Sequence, residues 1–345
     1  MHVLVTDFGV RHGALAGRLA SAGLDVGLAS PGRPLIRIPA TGASRDLGAS
    51  ESSGLASGSL PTGQPSIPRP GFVIAALSPG DDIARLRELQ ECPTAWPLVV
   101  VVRAAILGQG QAEELGLTVM FPGVDAGGAL EALERHRGVV GLPGTVVGPL
   151  AGRPRRVDRW LAVVLRKAGI RASCRGDMYS WLTVTSAWLS PLRGAVIAAA
   201  RQGLPLRAAP DLVTLATRAA RERLLLLRSC GFDLDARSAC LVALPEGWAI
   251  KAMRRIAEAL PRDGDPWCLP TADEAVAVSR SQASLARDAG VRTPAADFLD
   301  TFSSEEATRE PHGRDTPKPG ETSSSSNPER LDRYAALASK AWPPP

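Results

Sequence analysis

The chain predicts an α/β Rossmann-type domain with a parallel sheet, followed by an all-α C-terminal domain. Three observations carry that expectation. Residues 1–30 pass from an apolar run through a Gly-containing turn and an Ala/Leu-rich stretch to Gly23 and a second apolar run. Short apolar, often β-branched runs then recur as far as Cys174, with helical spacing between them. From Asp177 onward the apolar spacing is helical only.

The first strand is expected at His2–Thr6 and the second at Asp25–Ala29, with a helix between them. In such a βαβ unit the helix N-terminus offers free backbone N–H groups to a pyrophosphate. The spacing G-x-G-x-x-G requires glycine at positions 7, 9 and 12, where this chain has Asp7, Gly9 and His12. Asp7 tolerates a sharp turn, but its carboxylate repels a phosphate. The imidazole of His12 must point outward or push the helix from the strand, and Gly13 can take over by a one-residue shift. Gly9, Val10 and Gly13 are therefore the candidate cofactor-binding positions of this turn.

Residues 42–70 are rich in Gly, Ser and Pro and read as an insertion outside the core. Strands are expected at Gly71–Leu77, Pro97–Val102, Leu117–Phe121, Thr145–Leu150 and Ile170–Cys174, and helices at 80–90 and Arg155–Gly169. The latter helix is expected to group Trp160, Val163 and Val164 on one face. Four helices follow, at about 177–202, 210–231, 246–260 and 271–289. These patterns divide the chain into a dinucleotide-binding domain over 1–176, a helical domain over 177–300 and a disordered tail over 301–345, rich in Ser and Pro.

A chain of 345 residues suits two cores, and an apolar content of 45% is enough to fill them. The net charge of +5 comes from scattered arginines. Lysine occurs only at 167, 251, 318 and 340, and the composition lacks the aromatic platforms and basic clustering of a nucleic-acid binder. Five cysteines without a C-x-x-C pair fit reduced thiols, and the separated histidines predict no metal site. The longest apolar runs are broken by Arg103 and Arg218, so no membrane span is expected and a cytoplasmic location follows.

Over most of residues 1–300 the chain resembles the ketopantoate reductase family of NADPH-dependent reductases. The resemblance is carried by HVLVTDFGVRHGALAGRLASAGLDV, by FPGVDAGG with TVVGPLAG, by LRKAGIRASCRGDMYSWLTVTSAWLSPL and by DAGVRTPAADFL. It implies hydride transfer to the ketone of a small 2-oxo acid, with a lysine protonating the developing alkoxide. At the places of the family's K-x-x-x-N-x-x-x-N pattern this chain has Leu182, Ser186 and Ser190. Ser78 stands where the family has a lysine after its third strand, and Leu107, Gly108, Gln109 and Gly110 stand for its N-G-x-G turn. Pro31 takes the place of the basic residue that meets the 2′-phosphate, and Arg33 lies two positions on.

Ser186 and Ser190 can hydrogen-bond a substrate hydroxyl or bond back within a helix. Lys251 is the candidate proton donor, its competing role being an exposed helical cation. Lys167, His12 and Tyr179 stand behind it. The resemblance thus implies a divergent NADP-dependent oxidoreductase with a degenerate active site and a small-molecule substrate. The alternative is a catalytically silent scaffold that forms a homodimer or binds a partner.

Overall fold

The computed structural model describes residues 2–6, 10–29, 36–38, 72–76, 98–105, 117–123, 142–260 and 268–309. The 42–70 insertion, the helix expected at 80–90 and the chain beyond residue 309 lie outside the described residues. Two compact units result, the first made of Met1–Val102, Gln109–Gly128 and Gly144–Gly176, the second of Arg103–Gly108, Ala129–Pro143 and Asp177–Pro345.

The first unit is built on an eight-stranded sheet. Its strands are β1 (His2–Thr6), β2 (Asp25–Ala29), β3 (Ile36–Ile38), β4 (Phe72–Ala76), β5 (Leu98–Val101), β6 (Thr118–Phe121), β7 (Thr145–Pro149) and β8 (Ala172–Cys174), in the order β3-β2-β1-β4-β5-β6-β7-β8. β1 is central, pairing in parallel with β2 from His2↔Asp25 to Thr6↔Ala29 and with β4 from Val3↔Phe72 to Thr6↔Ala75. β5 and β6 are wholly buried, which is why they read as unbroken apolar runs and do not alternate. The sheet departs from an all-parallel one at two joins, β2–β3 and β6–β7, which are antiparallel.

Helix α1 (Val10–Ser21) packs Leu15, Ala16, Leu19 and Ala20 inward, one stripe at helical spacing. Helix α2 (Arg156–Lys167) buries Leu161, Ala162, Val164 and Leu165. Of the face that Trp160, Val163 and Val164 share, only Val164 is buried, Trp160 and Val163 being each 41% exposed. The buried stripe is rotated by one residue, and Trp160 instead lays its ring against Phe72, with centroids 4.4 Å apart. Asp158 fixes that rotation. Fully buried, it accepts the Arg155 backbone N–H and the Thr118 hydroxyl, each at 2.6 Å, and so ties α2 to β6.

The second unit is helical. Its elements are α3 (Met178–Arg201), a 3-10 turn (Leu206–Ala208), α4 (Pro210–Ser229), α5 (Ala236–Ala243), α6 (Glu246–Ala259), α7 (Ala272–Asp288) and α8 (Pro294–Arg309). α3 is buried on nearly every side, as a central helix with apolar residues all round must be. It starts at Asp177, whose left-handed backbone (φ 47°) lets the carboxylate accept the Ser180 N–H.

α8 corrects the expected tail. The chain stays helical through Thr301 to Arg309, beyond the point where composition predicted order to end. Its anchors are polar. Glu222 of α4 accepts the N–H groups of Ala295 and Ala296, Arg223 binds both carboxylate oxygens of Asp300, and Arg201 of α3 binds Glu305 and Glu306. Ser279 of α7 also donates to Asp300.

Candidate functional site

The first unit's sheet changes direction at β1. From β1 the chain crosses through α1 to β2 on one side, while β4 and β5 extend the sheet on the other. Ligands of open α/β sheets bind at such a switch point, outside the carboxyl ends of the strands. α1 starts there at Val10, with Gly13 in its first turn and no acidic residue in that turn. Its first N–H groups have no intrahelical partner and carry the positive end of the helix dipole. The helix thus fits the pyrophosphate of a dinucleotide. Gly9, Arg33, Ser78 and Gly108 lie outside the described residues.

The second unit holds a polar cluster around α3. Leu182, Ser186 and Ser190 recur every four residues and so share one helical face. Leu182 is 3% exposed and cannot donate a proton. Ser186 is buried, and its hydroxyl accepts the backbone N–H of Ala105 at 3.0 Å, leaving its own O–H to donate. Ser190 is also buried, with its Oγ unpartnered among the described residues. The structure therefore gives Ser186 a contact on the 103–105 segment.

Two residues beside this cluster escaped the sequence reading. Arg103 directly follows Val102, and its Nε lies 3.0 and 3.3 Å from the two carboxylate oxygens of Glu274. Glu274 is fully buried near the start of α7, where it also accepts the backbone N–H of Thr271 at 2.7 Å. Thr271-Ala272-Asp273-Glu274 is a capping box, a signal legible in the sequence. Arg103 gave no such local signal, only a charge at the end of an apolar run.

Lys251 sits on the exposed side of α6, with Nζ 5.0 Å from the ring centre of Trp248, itself 63% exposed. Lys167 is exposed near the end of α2, and Tyr179 is half-buried in the first turn of α3. His12 has no described side chain. Elsewhere in the second unit, burial pushes the Glu222 carboxyl up to about 7, against the pull of its two N–H donors and of Arg223. A shallow groove of about 420 Å³ in the first unit is lined by Arg166, Gly169, Ile170, Arg171, Ala172 and Ser173, none of them a predicted site residue. Among the described residues no group of three or more His, Cys, Asp or Glu can hold a metal ion, and no helix is long and apolar enough to cross a membrane.

No protein-family model and no curated protein sequence matches the chain. Solved structures share its fold. A 2-dehydropantoate 2-reductase from Geobacter metallireducens GS-15 is similar over 89% of this chain and 100% of that one, with a TM-score of 0.55 and 14% identity. A ternary complex of D-mandelate dehydrogenase with NADH and anilino(oxo)acetate is similar over 90% and 99%, with a TM-score of 0.54 and 10% identity. A 2-dehydropantoate 2-reductase from Methylococcus capsulatus is similar over 91% and 99%, with a TM-score of 0.51 and 14% identity. The chain therefore has the fold of these NAD(P)-dependent oxidoreductases, a Rossmann-type sheet domain with a helical C-terminal domain.

Proposed function

We propose that this protein is an NADP-dependent oxidoreductase of the ketopantoate reductase type, divergent in its active site and acting on a small 2-oxo acid other than ketopantoate. The observation that carries this reading is the first turn of α1, free of acidic side chains, at the β1/β4 switch point of a Rossmann-type sheet. The dinucleotide, when bound, supplies the hydride. Gly9, Val10 and Gly13 leave room for its pyrophosphate and direct backbone N–H groups at it. Arg33 meets the 2′-phosphate, and Ser78 and Gly108 complete the nucleotide's surroundings. Ser186 and Ser190 hydrogen-bond the substrate oxygen, and Lys251 supplies the proton.

Replacing the family lysine by Leu182 costs the reaction on the order of a hundredfold to ten-thousandfold, the usual worth of a general acid. That burial of Leu182 also supports a second reading, a catalytically silent scaffold that pairs with itself or with another protein. Thermal melts of the whole chain with NADPH separate the two. At a hundred times its Kd, NADPH stabilises the native state by about 2.7 kcal/mol and raises the melting temperature by several degrees. Lys251→Ala should then abolish 2-oxo acid reduction while NADPH binding persists, and undiminished turnover would remove Lys251 from the mechanism. An unmoved melting temperature in millimolar NADPH or NADH selects the scaffold.

A further inference from the structure

We propose that the guanidinium of Arg103 is the receptor for the substrate's carboxylate, and that Glu274 is the positioning residue that aims it. This rests on the oxidoreductase reading and names the charge that selects its substrate. Three features of the second unit support it.

First, Arg103 and Glu274 meet through the wrong edge of the guanidinium for a simple ion pair. Only Nε faces the Glu274 carboxylate. Neither terminal nitrogen of Arg103 has a partner among the described residues, and neither belongs to the buried polar atoms without one. With the side chain 18% exposed, the guanidinium is not sealed from solvent. Arg201, by contrast, spends both terminal nitrogens, on Glu305 and Glu306, and Arg223 turns its Nη2 to Asp300. Two N–H groups side by side match the two oxygens of a carboxylate, a fit that a lysine ammonium does not reproduce.

Second, the charge of Glu274 is already shared. Its Oε2 accepts from Thr271 at both the backbone N–H and the hydroxyl, and it stands in the positive first turn of α7. Arg103 therefore keeps charge to offer an incoming anion.

Third, the segment is held. Ala104 is buried and Ala105 is bound to Ser186, so the backbone around Arg103 is pinned on α3 while Glu274 pins its Nε from α7. A guanidinium fixed at both ends binds without first losing rotamer freedom, which improves affinity for a small ligand.

The nucleotide's phosphate shares this chemistry, so the test carries both ligands. Whole protein is titrated by calorimetry with oxamate, a 2-oxo acid analogue, and separately with NADPH, as wild type and as Arg103→Ala, Arg103→Lys and Glu274→Gln. Oxamate affinity should fall at least tenfold in Arg103→Ala and Arg103→Lys and severalfold in Glu274→Gln, while NADPH affinity stays within twofold. Added methylguanidinium should restore oxamate binding to Arg103→Ala, a rescue that a structural role does not produce.

Equal oxamate affinity in wild type and Arg103→Lys overturns the proposal, and so does a parallel loss of NADPH binding, which assigns Arg103 to the phosphate. If Arg103→Ala fails to fold, Arg103→Lys and Glu274→Gln decide on the same criteria. Wild type that binds NADPH but not oxamate sinks this proposal and leaves the oxidoreductase reading standing. Oxamate binding through Arg103 without NADPH binding does the reverse.

Discussion

Glu222 is a carboxyl placed where neither water nor a cation fully supports its charge. It is 4% exposed and accepts two backbone N–H groups at the start of α8, but burial outweighs them and raises it to about 7. Asp297 pushes in the same direction and Arg223 opposes it. A folded-state value above the ordinary 4.5 means that this group's contribution is complete below pH 4.5 and is lost as pH rises through 7. Relative to Glu222→Gln, the wild type should lose on the order of 3 kcal/mol of stability between pH 4.5 and 8, since each tenfold change in a protonation equilibrium is worth about 1.4 kcal/mol. Denaturant midpoints across that range check it, and a difference independent of pH would place the titration elsewhere. Asp300 is also raised, chiefly by burial, but it is common to both proteins and cancels in the comparison.

At this scale the sequence disclosed identities and not partners. Ser186 and Ser190 were found through their place in a resemblance, whereas the capping box of Thr271 and Glu274, though written in the sequence, was not singled out. The pairing of Arg103 with Glu274 spans 171 positions and no local pattern encodes it. Glu222 reads as one more acid on a helix rich in arginine.

Among the elements, α8 shows what holds a helix whose apolar stripe is weak. From Thr301 its sequence, TFSSEEATR, mixes Ser, Thr and acids with a single large apolar residue, so that half reads as a tail. Polar anchors from α3, α4 and α7 make it a helix. α3 also approaches it closely at Gly194, where a Cβ would stand 2.6 Å from the Leu299 carbonyl oxygen and 3.1 Å from the Leu299 Cβ. Helix propensity alone predicts that Gly194→Ala stabilises α3 by about 1 kcal/mol. The contact with backbone reverses the sign, and the expected result is a loss of about 1–3 kcal/mol, as for other overpacked cores. A urea midpoint at or above wild type would show that the two helices can part without cost.

The strands were legible where a run of four or five apolar residues announced them. β3 is too short to do so, and strand direction leaves no local trace, so the antiparallel joins β2–β3 and β6–β7 appear only in the pairing. α2 shows a different loss. Trp160 and Val163 look like core residues by type, but the buried stripe follows Asp158, whose bonds to Thr118 and Arg155 set the rotation.

For the molecule as a whole, composition indicated two cores, and the chain's division into a sheet unit and a helical unit follows the change of apolar period near Asp177. The helical unit is not one continuous stretch, however. It draws in Arg103 and Ala105, which satisfy Glu274 and Ser186. A fragment of residues 177–309 should therefore form its helices by circular dichroism yet unfold at a lower urea concentration than the same helices in the full chain. Each buried polar group left without its partner costs about 1–3 kcal/mol. Identical midpoints would show that the 103–105 segment adds nothing to that core.

The same borrowing sets a timetable for biogenesis. Ala105 and Ser186 are 81 positions apart, and Arg103 and Glu274 are 171 apart. Contacts so distant along a polymer form late, because the intervening loop must first be closed at an entropic cost. On the ribosome, Arg103 emerges long before its carboxylate partner is synthesised, so the anion receptor can be assembled only after α7 has left the exit tunnel.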